Sequence, residues 1–379
     1  TSLYPIMIEL VTDSPHPIHL VDSLQNPKLF ASLSTDFPLI FITNTKLNTL
    51  ILPPLLDLAR SLGFSVETLT IPEGEETKTG DTFLSLHQQL TDLNVPRQAT
   101  LIGVGGGVIL DIAGFVAATH CRGMPFIAIP TTLVAMIDAS IGGKNGINLN
   151  HIKNRIGSFY LPKAVWICPR KLSFLPQQEL HHGIAECIKH AYIADSAILP
   201  LLQDPNALKK EDKLSLLIKK NCLCKASVVQ QDVRDYAKRQ ILNFGHTLGH
   251  ALEMLFIGKI PHSCAISVGM VLETKLSLSL GVARSPAILH SLIQDLLRYQ
   301  LPVSLKDLYM RAQIPPHNCD QILSALTYDK KKQNTPLPPF VMIEEIGLAA
   351  SFDGRFCQTI SKHILTKVLE EEFYAMHNN

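Results

Sequence analysis

Short apolar runs alternate with amphipathic stretches through the first half of the chain. The apolar runs end in Gly, Pro or polar turn residues and predict buried strands over 38–44, 64–72, 99–107 and 125–133. The amphipathic stretches predict helices that end near Gly63, span 81–93 and follow the strand at 99–107. Strands that alternate with helices across short connections are typical of an α/β domain with a parallel, doubly wound sheet.

Helical periodicity takes over after about residue 176. Apolar positions recur at helical spacing, with Pro and Gly mainly between the segments, over 178–203, 212–231, 241–256 and 265–281. A chain of 379 residues also exceeds what one hydrophobic core usually serves. We therefore predict two domains, an α/β domain over residues 1–176 and an all-helical domain over residues 177–379.

The charge balance limits what the surface can bind. Formal net charge is +1 and 18% of the residues are charged, so no global field favours nucleic acid or an anionic membrane. An anionic substrate must instead be bound by a few local cations. We expect a small-molecule ligand and no nucleic-acid or membrane partner.

Location is indicated by the hydrophobic and cysteine patterns. No apolar stretch approaches the roughly 20 residues that span a bilayer, and the N-terminal segment lacks the pattern of an export signal. The eight cysteines are scattered without a CxxC pair, which is typical of a reduced cytosolic protein. We expect a soluble, cytoplasmic protein.

A glycine-rich turn, GVGGGVILD, follows an apolar strand and opens a predicted helix. Gly105, Gly106 and Gly107 let the backbone approach a phosphate closely, and a helix N-terminus supplies free N–H groups and positive potential. The glycines do not follow the GxGxxG spacing, so a plain tight turn is the alternative. Asp111 is expected in the first helical turn, where a carboxylate also stabilises the helix dipole.

The segment PTTLVAMIDASIGGKNGIN predicts a second part of the same site. Thr131 and Thr132 end a buried strand, where side chains commonly face the cofactor crevice of an open sheet. Asp138 and Lys144 flank a pair of glycines in a loop that can bind hydroxyl or anionic groups. A solvated turn is the alternative, since most Asp and Lys side chains are exposed.

Three segments offer side chains that bind divalent metals. LNFGHTLGHALE places His246 and His250 on one helical face, GIAECIKHA contributes Glu186 beside Lys189, and PHSCAISVGM contributes His262. One carboxylate and two imidazoles form an open catalytic zinc site. Spacing does not decide whether His250 or His262 completes the set, although the i, i+4 pair of His246 and His250 is favoured on spacing alone.

Four blocks, in this order, resemble the 3-dehydroquinate synthase family: GGGVILDIAGFVAATHCRG, IPTTLVAMIDASIGGKNGIN, GIAECIKHA and LNFGHTLGHALE. The resemblance covers most of the chain, from GEETK (74–78) to DKK (329–331). It implies an N-terminal Rossmann-like domain that binds NAD, a helical domain that binds Zn2+ or Co2+, and a homodimer.

The family pattern also assigns roles to individual residues of this chain. It implies metal ligands at Glu186, His246 and His262, in place of the pair that spacing favours. It implies NAD contacts at Glu75, Lys78, Gly105, Gly106, Gly107, Asp111, Thr131, Thr132, Asp138, Lys144 and Lys153. It implies substrate or catalytic contacts at Lys144, Asn154, Lys189, Lys225, Arg239, Asn243, His250, Lys331 or its neighbour Lys330, and Arg122, which resembles an arginine that reaches the partner subunit.

The resemblance implies conversion of 3-deoxy-D-arabino-heptulosonate 7-phosphate to 3-dehydroquinate and phosphate, a step of the shikimate pathway. The alternatives are another sugar phosphate cyclase, a metal-dependent polyol dehydrogenase, and a non-catalytic binding module. Lys225, Arg239 and Asn243 favour a substrate that carries a carboxylate. Ser263, where the family has glycine, and Asp235, where it has glutamate, indicate a divergent but active member.

Overall fold

The computed structural model describes residues 6–10, 16–150, 152–327 and 337–378. The chain forms two compact units, one of residues 1–176 and 214–230 and one of residues 177–213 and 231–379. Residues 214–230 thus belong to the first unit by their contacts, although they come after the predicted boundary at residue 176. The predicted division into domains at residue 176 stays a prediction.

The first unit is built on a seven-stranded sheet. Its strands are β1 (Ile6–Leu10), β2 (His16–Leu20), β3 (Leu39–Asn44), β4 (Val66–Ile71), β5 (Thr100–Gly105), β6 (Phe126–Pro130) and β9 (Ala164–Ile167); β7 (Lys144–Leu149) and β8 (Ile152–Phe159) form a separate antiparallel hairpin. The sheet order is β1-β2-β9-β6-β5-β3-β4, and every neighbouring pair is parallel except β1 with β2. The predicted α/β fold class with a parallel sheet is confirmed.

The α-helices of the described chain follow the amphipathic segments of the sequence. In order they are α1 (Thr45–Leu50), α2 (Leu52–Ser61), α3 (Gly80–Asp92), α4 (Gly107–Thr119), α5 (Gln177–Ile193), α6 (Glu211–Gln231), α7 (His246–Phe256), α8 (His262–Ser279), α9 (Ala287–Arg298), α10 (Leu305–Ala312), α11 (Cys319–Leu326) and α12 (Lys362–Asn378). In α2 the buried residues Leu52, Leu55 and Ala59 recur at helical spacing, so this face packs into the core. Among the described residues, no helix combines the length and hydrophobicity that crossing a membrane requires.

The strand order creates one reversal point in the sheet. From β3 the chain adds β4 on one side and β5 on the other, so the direction of winding changes between β3 and β5. Open α/β sheets bind ligands outside the carboxyl ends of the strands at such a point. Gly105 is the last residue of β5, which places the predicted phosphate turn at this crevice.

The second unit is helical, as predicted, with one small addition. A two-stranded hairpin, β10 (Ile343–Glu345) with β11 (Leu348–Ala349), packs against helices α5 and α8. The central helices α7 and α8 approach each other very closely because glycines face each other there. A Cβ atom added at Gly269 would lie 2.0 Å from the carbonyl oxygen of Gly245. This contact fixes the first turn of α7 against α8.

Candidate active site

A carboxylate and two imidazoles from three helices of the second unit converge on one point. Glu186 lies on α5, His246 is the first residue of α7, and His262 is the first residue of α8. Oε1 of Glu186 lies 3.4 Å from Nε2 of His246 and 3.6 Å from Nε2 of His262. Ligand atoms about 3.3–3.4 Å apart suit a tetrahedral ion with bonds of about 2.0–2.1 Å, so the donor set fits Zn2+ or a similar cation.

The structure distinguishes His262 from His250 as the companion of Glu186 and His246. Glu186, His246 and His262 each offer an atom within 4.8 Å of the others, and so do His250, Glu253 and His262. Within the described ranges, no such group contains both His246 and His250. The geometry therefore supports the set implied by the family resemblance, with His262 as the third ligand.

The electrostatics of Glu186 favour its charged form. Burial alone would raise the pKa of this carboxyl, but Lys189 and His246 hold the pKa well below its usual range. Nζ of Lys189 lies 2.5 Å from Oε2 of Glu186, one helical turn away, and both side chains are buried. One oxygen of Glu186 thus faces the ammonium group while the other faces the two imidazoles.

Glu253 orients His262 from the side opposite to Glu186. Its Oε2 lies 3.0 Å from Nδ1 of His262. Although burial opposes the charged imidazole, hydrogen bonds to Glu186 and Glu253 raise the pKa of His262 to about 9. A carboxylate on the second nitrogen of a metal-binding histidine fixes its tautomer and ring orientation. The sequence placed Glu253 near the histidines but gave it no role.

Glu273 is a second buried carboxylate that the sequence analysis missed. Its oxygens accept backbone N–H groups of Gly245 at 2.6 Å and Leu248 at 3.2 Å. These donors belong to the start of α7, where Gly245 supplies no side-chain cap of its own. Glu273 therefore caps, from α8, the helix that begins with His246. The signal for it was a single glutamate within an apolar helix.

A cavity of about 300 Å³ opens beside the histidines in the second unit. Asn243 and His250, which were predicted to contact substrate, line it together with His246, and their roles stay predictions. Gln240 and Cys357, which the sequence analysis did not select, also line it, and the Cys357 thiol donates to Oε1 of Gln240 at 3.2 Å. No motif marks these two positions, because only the fold brings them together.

The remaining predicted residues of the second unit occupy different settings. Arg239 is buried, and its Nη1 donates to the carbonyl of Val233 at 2.8 Å. Asp235 has a left-handed backbone with φ of 63°, and Ser263 is buried in the first turn of α8. Lys330 and Lys331 lie outside the described residues.

The glycine turn of the first unit packs closely against the end of β6 and the start of α4. Gly106 precedes α4, and a Cβ atom there would lie 3.3 Å from the Thr132 side chain. A Cβ atom at Gly105 would lie 2.6 Å from Ile109. The Thr131 N–H donates to the carbonyl of Gly105 at 3.0 Å, so this turn and the end of β6 lie side by side. Close packing therefore requires glycine at position 105, and phosphate binding at the N-terminus of α4 stays a prediction.

A hydrogen-bonded network connects several predicted cofactor residues. Nζ of Lys78 lies 2.5 Å from Oδ2 of Asp111 and 2.5 Å from Oδ1 of Asn154. Burial raises the pKa of Asp111 to about 6, against the lowering effect of Lys78. The expected place of Asp111 in the first helical turn was wrong. Because α4 already begins at Gly107, Asp111 lies one turn inside the helix.

Lys225 belongs to the first unit although it follows the predicted boundary. Its Nζ lies 2.6 Å from Oδ1 of Asp138 and donates to the Asp138 carbonyl at 2.5 Å. Lys225 is buried on α6, and Asp138 lies on a short π-helical turn, Ala135–Ala139. The structure thus brings together a predicted substrate residue and a predicted cofactor residue.

Lys144, Asp111 and Asn154 line a second cavity of about 300 Å³, within the first unit. Lys153 is exposed on β8, next to Asn154. Glu75 is exposed in a short 3-10 turn, and its Oε1 accepts from the side chain of Asn148 at 2.8 Å. 

Arg122 lies at the end of a 3-10 turn, His120–Arg122, that follows α4. Its side chain is exposed, and both Arg122 and Cys121 have a left-handed backbone, with φ of 65° and 50° respectively. Its predicted contact with a partner subunit stays a prediction.

Comparison with known proteins adds independent findings. Family models described as 3-dehydroquinate synthase N-terminal and C-terminal match residues 68–182 and 183–332. A protein of Chlamydia muridarum named 3-dehydroquinate synthase is 74% identical over 373 residues, covering 98% of this chain and all of that protein.

Two solved structures share the fold. One is 2-deoxy-scyllo-inosose synthase complexed with carbaglucose-6-phosphate, NAD+ and Co2+, with a TM-score of 0.82, 24% identity and coverage of 97% of this chain and 100% of that chain. The other is 2-epi-5-epi-valiolone synthase from Streptomyces hygroscopicus with NAD+ and Zn2+ bound, with a TM-score of 0.81, 22% identity and coverage of 97% and 99%. At these identities the likeness shows the fold.

Proposed function

Since the chain belongs to the 3-dehydroquinate synthase family, we propose that it converts 3-deoxy-D-arabino-heptulosonate 7-phosphate to 3-dehydroquinate and phosphate. The reaction combines oxidation, phosphate elimination, reduction, ring opening and aldol closure, which makes the enzyme a phosphate-eliminating lyase. The convergence of Glu186, His246 and His262 carries the proposal, because it provides the cation site that this chemistry uses.

The proposed cofactors are NAD and a divalent cation, Zn2+ or Co2+. When bound, NAD supplies a reversible hydride acceptor, and the cation lowers the pKa of a substrate hydroxyl. Glu186, His246 and His262 would hold the cation, and Gly105–Gly107 at the start of α4 would hold the NAD pyrophosphate. The two cyclase structures, which hold NAD+ with Co2+ or Zn2+, support this assignment.

The chain's own residues bind and orient the substrate. Asn243 and His250 line the cavity next to the cation ligands, where they can donate to substrate hydroxyls and where His250 can transfer a proton. Lys144 and Asn154 line the cavity of the first unit and provide a cation and an amide for anionic groups. Orientation of this kind is what the intramolecular aldol closure requires from a protein.

Product analysis tests the proposal directly. Purified protein would be incubated with the heptulosonate phosphate, NAD+ and Zn2+ or Co2+, and inorganic phosphate and absorbance at 340 nm would be followed together. Phosphate release without lasting accumulation of NADH is expected, since the hydride returns to the substrate. A stoichiometric rise of NADH with a polyol would instead show a dehydrogenase, and NAD binding without turnover would show a binding module.

Substrate comparison distinguishes the proposed enzyme from other sugar phosphate cyclases. Sedoheptulose 7-phosphate and glucose 6-phosphate lack the carboxylate of the heptulosonate. We expect the heptulosonate to react with the highest kcat/KM, and preference for either other sugar would contradict the proposed substrate.

We also propose that the enzyme is a homodimer in which Arg122 acts at the partner's phosphate site, and that it works in the cytoplasm. Light scattering coupled to size exclusion measures the mass. Mixing Arg122→Ala chains with chains inactivated at His246 tests the shared site. Recovery of part of the activity is expected, and no recovery in a mixed dimer would contradict the sharing.

A further inference from the structure

A single amide side chain on the β7–β8 hairpin holds three predicted site segments together. Asn148 was not selected from the sequence, yet it contacts three residues that were. Its Nδ2 donates to Oε1 of Glu75 at 2.8 Å, and its Oδ1 accepts the backbone N–H of Asn154 at 2.9 Å. Its own backbone N–H donates to the carbonyl of Lys78 at 2.8 Å.

These bonds close a ring with the side chains that line the first-unit cavity. Lys78, which Asn148 contacts through the backbone, donates at 2.5 Å to the side chain of Asn154. The same ammonium group bonds Asp111, which lines the cavity with Asn154. A displacement of Asn148 therefore moves Glu75 and Asn154, and the movement of Asn154 disturbs its hydrogen bond with Lys78.

The backbone around Asn148 needs such a restraint. Asn154 has a left-handed backbone with φ of 53°, a conformation that asparagine adopts more readily than most residues other than glycine and that hydrogen bonds from neighbours stabilise. The register of the hairpin also shifts between Ile147 and Leu149, so the regular ladder is interrupted at Asn148. The Asn148 side chain replaces ladder bonds at this irregular point.

We propose that Asn148 is a positioning residue for the cofactor site, which sets the geometry of Glu75 and Asn154 without touching the cofactor itself. This inference rests on the proposed function, because it assumes that Glu75, Lys78 and Asn154 serve NAD and substrate.

The donor and acceptor order of the Glu75–Asn148 contact permits a swap experiment. Asn148→Asp keeps the acceptor for Asn154 but sets a carboxylate against Glu75, which repels it. Glu75→Gln with Asn148→Asp restores a donor and an acceptor in reversed order, with the same net charge. Four proteins are compared: the unchanged chain, E75Q, N148D and E75Q/N148D.

The dissociation constant of NAD+, measured by titration calorimetry, is the readout. N148D is expected to weaken binding roughly 10-fold or more, since the hydrogen bond to Glu75 is lost and is replaced by repulsion between two carboxylates. The double variant is expected to bind NAD+ more tightly than N148D. Asn26→Ala, which removes only a side-chain bond to the Lys28 N–H, is the matched control and should leave NAD+ binding unchanged.

The outcomes separate the two proposals. If the unchanged chain does not bind NAD+, the proposed function fails. If it binds NAD+ and N148D binds equally well, or if the fold-changes of E75Q and N148D simply multiply in the double variant, the role of Asn148 is refuted. Recovery in the double variant also excludes a folding defect as the cause of weak binding in N148D.

Discussion

Replacing Glu186 by Gln should separate the stability of the second unit from its metal binding. The change keeps the shape of the side chain but removes the carboxylate that faces Lys189 at 2.5 Å. The exposed fractions of the two residues are 2% and 1%, so water cannot solvate the ammonium group that remains. A second variant, Glu186→Gln with Lys189→Met, removes both charges at similar volume.

The magnitudes follow from the burial of the pair. Removing one partner of a buried ion pair costs about 3–5 kcal/mol of the free energy of unfolding, whereas replacing both by uncharged groups is often neutral. We therefore expect E186Q to lose about 3–5 kcal/mol and E186Q/K189M to regain most of that loss. Both variants should lose more than about 10–100-fold in Zn2+ affinity, which is the loss expected when only a hydrogen-bond partner of a metal ligand is removed.

Denaturant unfolding in the presence of a chelator measures the free energy of unfolding of the metal-free protein. Circular dichroism follows the helices, while fluorescence of Trp166, the single tryptophan of the chain, reports the first unit separately. Zinc affinity is measured against a chromophoric chelator. An E186Q protein as stable as the unchanged chain, or a double variant as unstable as the single one, would refute the assigned energetics of the pair.

Two further predictions concern the histidine helices. Because the pKa of His262 is raised to about 9, a cation that binds below pH 9 must displace the proton of this imidazole. The affinity for Co2+ should therefore rise about tenfold per pH unit from pH 6.5 to 8.5, and Glu253→Gln should flatten this slope. An affinity that does not depend on pH would contradict the prediction. Gly269→Ala should lower the free energy of unfolding by about 1–3 kcal/mol and weaken metal binding, because the new methyl group meets the Gly245 carbonyl. Gly80→Ala is the control: its methyl group would have no atom within 4 Å, so the variant should be as stable as the unchanged chain in a thermal unfolding assay.

The sequence predicted those features that depend on local pattern. The strand at 38–44 corresponds to β3, and the helix at 81–93 corresponds to α3, because apolar spacing follows the local backbone period. Consecutive glycines indicated a turn from strand to helix for a similar local reason, and the structure ends β5 at Gly105 and begins α4 at Gly107. Residue patterns also brought Glu186 and Lys189 together, since one helical turn separates them.

The choice of the third metal ligand required tertiary information. His250 lies one turn from His246, yet its Nε2 lies 3.9 Å from Glu253 and the side chain is mostly exposed. His262 is distant in sequence but begins α8, which the glycine contact places against the first turn of α7. No periodicity within one segment encodes the packing of two helices.

The hairpin β7–β8 was missed for a related reason. The segment from Lys144 contains glycines and asparagines, which favour a loop, and its strands pair only with each other. The central role of Asn148 depends on that pairing. Lys225 illustrates the same limit, because the sequence gives no sign that α6 belongs with the earlier strands and faces Asp138.

Helix α6 packs with the first unit, whereas the residues that flank it in the sequence belong to the second, and this affects how the protein folds during synthesis. The chain changes unit at three places, after residues 176, 213 and 230. A fragment that stops at residue 176 would lack α6, which carries Lys225 and also Cys222, whose thiol donates to the Met136 carbonyl. During synthesis the first unit therefore cannot complete its core until part of the second has left the ribosome, and a gene cut at the apparent boundary would yield two incomplete halves rather than two working modules.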